Sequence, residues 1–118
     1  DDHAELIADE VLKYTDSNDG EVLFLSKYDQ KVFDIVRNIL GDRAILLDPK
    51  KNLEILQPSP NQSLIQEKIN EKYATQLSTY LGKFDVIVSC RLLEHAHDIN
   101  SFIIGLTHLL KKDGRIFL

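Results

Sequence analysis

The 118-residue sequence predicts an α/β domain, a parallel sheet with helices on both faces. Three observations carry this. Short apolar runs at Glu21–Ser26 (EVLFLS), Arg43–Asp48 (RAILLD) and Phe84–Ser89 (FDVIVS) are continuous instead of alternating, as in strands buried on both sides. Segments of helical period separate these runs, and the strand–helix alternation calls for crossover connections and hence parallel pairing. Turn chemistry punctuates the change of period, as at Asp16-Ser17-Asn18-Asp19-Gly20.

Asp2 with Glu5 has capping-box spacing, and Ala4, Ile7, Ala8, Val11 and Leu12 follow on one face, predicting a helix over about residues 3 to 14. Glu21–Ser26 is the first strand. Val32, Phe33, Val36, Ile39 and Leu40 form the next helical stripe, with Gly41 in the position of a C′ glycine. Arg43–Asp48 is the second strand, stopped by Pro49. The pattern fades from Lys50 to Asn61, where Pro58 and Pro60 mark a loop. Ser63 and Gln66 then suggest another capping box, before a stripe of Ile65, Ile69, Tyr73, Leu77 and Tyr80 that ends at Gly82. Phe84–Ser89 is the third strand. Asp98 can cap a helix whose apolar face is Ile99, Phe102, Ile103, Leu106, Leu109 and Leu110. Lys111 and Lys112 suit its negative end, and Gly114 stands just beyond. Arg115–Leu118 opens a fourth strand.

Length sets one domain over residues 1–118, with 43% hydrophobic and 28% charged residues, ordinary for a soluble globular chain. A net charge of −5 argues against a nucleic-acid footprint, which needs a clustered basic face. No apolar run approaches a bilayer span and no signal-peptide pattern opens the chain. The single cysteine, Cys90, excludes an internal disulfide framework, so the expected compartment is the cytoplasm. The sequence opens without Met and stops at Leu118 inside an apolar run. It is therefore expected to be truncated at its C-terminal end, with further domains in the same protein.

In an open parallel sheet, ligands bind beyond the carboxyl ends of the strands, where strand order reverses. The candidate positions are Ser26 to Gln30, Asp48 to Lys50 and Ser89 to His97. Asp48, at the end of the second strand, is placed to accept two ribose hydroxyl hydrogen bonds; the alternative is a turn residue, since Asp-Pro is a common turn pair. Glu94, His95, His97 and Asp98 form the densest polar cluster, but no third metal ligand is signalled elsewhere. His95 could serve as a general acid or base, or be an ordinary loop histidine. Cys90 follows a strand directly, as a nucleophile could, yet no helix N-terminus or cation is signalled to lower its pKa; a small buried residue is the plainer reading.

These residues resemble the class I S-adenosylmethionine (SAM) dependent methyltransferases. LLDPKKN at 46 to 52 is similar to the segment whose acid binds the SAM ribose. FDVIVSCRLLEHAHD at 84 to 98 is similar to the family's fourth strand and its following loop, and residues 99 to 118 to the next helix and fifth strand. An Asp-Pro-x-x-Asn step, a Gly-Lys-Phe-Asp-Val entry and a His-x-x-Asp helix start are similar to sugar C-methyltransferases. The resemblance implies a Rossmann-like sheet, here an incomplete class I core, and transfer of a methyl group from SAM to a small-molecule, perhaps sugar, acceptor. It implies cofactor contacts at Ser26, Lys27, Asp48, Pro49, Ser89, Cys90, Arg91 and Leu92. No catalytic residue is singled out, no metal is implied, and neither nucleic acid nor membrane is an expected partner. The family's glycine-rich turn after strand one is replaced, with Ser26, Tyr28 and Gln30 on the glycine positions and Phe24 in place of its acid. The alternative function is therefore a non-catalytic scaffold or interaction domain that no longer binds SAM. A nucleotide-binding domain of another kind would need a G-x-x-x-x-G-K-[ST] or G-x-G-x-x-G loop, and the chain has neither.

Overall fold

A computed structural model describes residues 2–15, 19–25, 29–47, 78–79, 82–89 and 99–117. Among them the order is α1 (Asp2–Lys13), β1 (Val22–Phe24), α2 (Gln30–Leu40), a 3₁₀ turn (Gly41–Arg43), β2 (Ala44–Leu46), β3 (Phe84–Val88), α3 (Ile99–Thr107) and β4 (Leu110–Phe117). The strands form one sheet in the order β2-β1-β3-β4, with every neighbouring pair parallel. This is the α/β class that the continuous apolar runs require, a partial Rossmann-like core.

Strand alternation divides the core in two. Val22 and Phe24 of β1, with Ala44, Val86 and Val88, pack against α1 and α2 through Ala8, Val11, Val32 and Val36. Leu23, Leu25 and Ile87 turn to the other face, where Phe102 and Leu106 of α3 cover them. The helical stripes read from the sequence are the ones buried: Ala4, Ala8, Val11 and Leu12 in α1, and Val32, Val36 and Leu40 in α2. α2 ends where Gly41, at φ 62°, returns its N–H to the Arg37 carbonyl, a conformation glycine adopts without Cβ strain. Tyr14, just past α1, reaches β4. Arg115 Cζ lies 4.4 Å from its ring centroid, and the Phe117 ring lies 6.3 Å away, edge-on.

The amino end of the sheet is fastened by side chains. Asp85 Oδ2 accepts the Glu21 N–H at 2.8 Å and lies 3.2 Å from Lys111 Nζ. The Glu21 carbonyl in turn accepts N–H groups from Asp85 and Val86 at 2.9 and 3.2 Å. Arg43, entering β2, donates to the carbonyls of Thr15 at 3.1 Å and Gly20 at 3.4 Å, closing the turn between α1 and β1. Arg37 donates to the Ala44 carbonyl at 3.0 Å and so ties α2 to the start of β2.

Two expectations are corrected. The strands β1 and β2 are shorter than their apolar runs, each three residues long. The helix expected to run to Leu110 stops at Thr107, and Lys111 and Lys112 belong to β4 instead of the helix end. The Thr107 hydroxyl donates to the Ile104 carbonyl at 2.6 Å, and His108 and Leu109 close tight i→i−3 bonds to Gly105 and Leu106. The Leu109 carbonyl is then taken by the Phe84 N–H at 2.8 Å, so the chain enters the sheet. Pairing begins at Phe84–Leu110 and resumes at Val86–Arg115, so residues 111–114 bulge out of the ladder. Asp113 takes φ 66° in that bulge. Gly114 is required there, because a Cβ would lie 2.6 Å from Leu110 Cγ and 2.9 Å from the Lys111 carbonyl oxygen.

Of the helix expected to end at Gly82, Ser78 and Thr79 are described and helical; Gly82, at φ 82°, donates to the Ser78 carbonyl at 2.8 Å. The remainder of that helix and the loop from Lys50 to Asn61 lie outside the described residues.

Candidate functional site

The strand order reverses direction between β1 and β3, because the chain builds outward to β2 on one side of β1 and then returns to the other. That pair of strands is the switch point, and its carboxyl end is where an open parallel sheet binds ligands. Backbone bonds carry the ladder past the strands at this end. Leu25 donates to the Val88 carbonyl at 3.2 Å, Leu47 to Phe24 at 2.8 Å, and Ser89 to Phe117 at 2.7 Å. The tips of all four strands are thus held together by main chain.

Two buried polar side chains stand here. Ser89, directly after β3, is 0% exposed, and its Oγ has no hydrogen-bond partner among the described residues. An unmatched buried hydroxyl costs about 1–3 kcal/mol, so it calls for an explanation. Asp29, at the start of α2, is 4% exposed. It holds the N-cap position with φ −101° and ψ 21°, yet makes no side-chain capping bond. An Asp at this position ordinarily accepts the N–H of the second or third helical residue. Asp29 instead places a carboxyl group at the positive end of the helix dipole without that bond.

Of the residues the sequence assigns to cofactor contact, Ser89 is described and stands at the switch point, buried. Ser26, Lys27, Asp48, Pro49, Cys90, Arg91 and Leu92 lie outside the described residues, as do Glu94, His95, His97 and Asp98. Of the three positions that carry glycine in the resembled family, Gln30 is described. It is the first residue of α2, and its Nε2 donates to Asp34 Oδ1 at 2.9 Å on the exposed surface. The helix therefore starts where the resemblance places it.

Asp29 was not singled out by sequence reasoning. The signal was present in part, since an Asp just before a helical stripe is a start signal. The sequence could not show that this residue would be buried and released from capping. Among the described residues no group of three or more His, Cys, Asp or Glu is placed to hold a metal ion. No described helix is long and apolar enough to cross a membrane.

Comparison with curated proteins finds a ubiquinone biosynthesis O-methyltransferase of Pelagibacter ubique (strain HTCC1062), 35% identical over 81 residues. The match takes in 67% of this chain, and the chain spans 33% of the length of that protein. No family model matches the chain, and no solved structure matches it.

Proposed function

We propose that this chain is the cofactor-binding part of a SAM-dependent methyltransferase that acts on a small molecule in the cytoplasm. The observation that carries the reading is the 35% identity to an O-methyltransferase over two thirds of the chain. The orphaned Ser89 hydroxyl at the switch point supports it, as a polar group that a bound cofactor would satisfy. The sugar acceptor suggested by residue texture gains no support from this relative, so the acceptor is proposed only as a small molecule.

SAM, when bound, supplies an activated methyl group on a sulfonium for in-line transfer. The chain's contribution is positioning and exclusion of water. Asp48 would accept ribose hydroxyl hydrogen bonds at the end of the second strand run, Ser89 would donate from its buried Oγ, and the backbone of residues 90–92 would line the same edge. The second reading, a scaffold that no longer binds SAM, is favoured by Ser26, Tyr28 and Gln30 on the glycine positions, where side chains would crowd a close-lying cofactor.

Isothermal titration and thermal shift with SAM separate the two. A ligand at a hundred times its dissociation constant stabilises the fold by about 2.7 kcal/mol, a visible shift in a small domain. Binding that Asp48→Ala weakens strongly is the expected result. The absence of heat and of any shift at millimolar SAM would favour the scaffold.

A further inference from the structure

We propose that Asp29 makes the cleft at the β1–β3 switch point selective for adenosine ligands that carry a positive charge and closes it to phosphate-bearing nucleotides. The proposal rests on the methyltransferase reading and narrows it to a specificity-determining residue.

The helix that follows the first strand of such a sheet offers its N-terminal N–H groups and its positive dipole end to the ligand, and the usual occupant is a phosphate. α2 is this helix, and it is 11 residues long. Here the chain places its own acid at that end. Asp29 is buried, and its side chain is not spent on the first-turn N–H groups. The first turn contains no other acid, and its one cation, Lys31, is exposed to solvent. The other basic side chain at this end of the sheet, Arg115, stacks on Tyr14. A phosphate brought to α2 would therefore meet a carboxyl group where it ordinarily finds N–H donors. A ligand cation would find a buried acid in a setting where charge attraction is stronger than in water. Ser89, on the neighbouring strand, is independently a buried hydroxyl with no partner among the described residues, so the same end of the sheet holds a polar group suited to a ligand.

SAM offers two cations, the sulfonium and the α-ammonium. S-adenosylhomocysteine retains only the ammonium, and ADP has the nucleoside with phosphates and no cation. Titration of the full chain with all three ligands tests the proposal. The wild type is expected to bind SAM at least about tenfold more tightly than ADP, and Asp29→Asn to lose about tenfold or more of that preference. A loss for SAM alone assigns the sulfonium as the group Asp29 faces; an equal loss for S-adenosylhomocysteine assigns the ammonium. Asp29→Ser, which keeps a good N-cap residue, should reproduce the loss, and melting without ligand checks that each variant folds. Equal affinity of the wild type for ADP and SAM overturns the proposal, and that ratio decides even if both variants fail to fold. SAM binding whose preference over ADP survives in a folded Asp29→Asn variant also overturns it and leaves the methyltransferase reading intact. If neither SAM nor S-adenosylhomocysteine binds the wild type, the methyltransferase reading itself falls and the proposal with it.

Discussion

The two ends of the sheet use their polar groups differently. At the amino end, Asp85, Glu21, Lys111 and Arg43 are engaged with backbone or with one another, and each contact closes a turn or joins two strands. At the carboxyl end, main-chain bonds alone hold the described strand tips, while Ser89 is buried without a partner there and Asp29 is buried without a capping bond. Polar groups that are buried but not used for the fold are costly, and such groups concentrate where a ligand is to be met. The contrast identifies the carboxyl end as the functional one without reference to any relative.

The contrast can be broken by substitution. The largest effect is expected from Phe84→Ala, which empties a fully buried ring site at the amino end. A loss of about 3–5 kcal/mol is expected, measured by chemical denaturation, and it is a large share of the stability of a domain this size. A loss under about 1 kcal/mol would show that the amino end is not well packed. Asp85→Ala comes next. It strips the Glu21 N–H and Lys111 of their shared acceptor, and about 1–2 kcal/mol should be lost, discounted because Asp85 is partly exposed. Ligand affinity should not change; if it falls with stability, the two ends are not separate in function. Ser89→Ala is the smallest change and has the opposite sign. Removing a buried hydroxyl that no described residue satisfies should leave stability unchanged or raise it by about 1 kcal/mol, while SAM affinity falls. Marked destabilisation would mean that the hydroxyl serves the fold.

Much of this architecture is legible in the residues. Leu23, Leu25 and Ile87 against Val22, Phe24 and Val88 read as two-sided burial because neither set is polar. Ala4, Ala8 and Val11, and then Val32, Val36 and Leu40, fix two helices by spacing alone. The misplaced boundary at Thr107 shows the limit. Leu106, Leu109 and Leu110 keep helical spacing, and periodicity cannot tell a helix continued to Leu110 from one that stops and yields Leu109 to the sheet. Lys111 and Lys112 look like helix-end cations for the same reason; what they join is a bulge formed around Asp113 and Gly114. For the site, Ser89 was readable as the residue after a strand, whereas Asp29 was hidden among the residues that follow Leu25.

The sequence by itself determined the α/β class, the two helical faces that cover one side of the sheet and the strand that ends at Ser89, because local periodicity and continuous apolar runs depend on which residues must leave water. The tertiary structure decided the order β2-β1-β3-β4, the end of α3, and the burial of Asp29 and Ser89. Each of these depends on which distant segment lies alongside, as when the Phe84 N–H takes the Leu109 carbonyl and Val88 pairs with Phe24. Spacing along the chain does not record that neighbour.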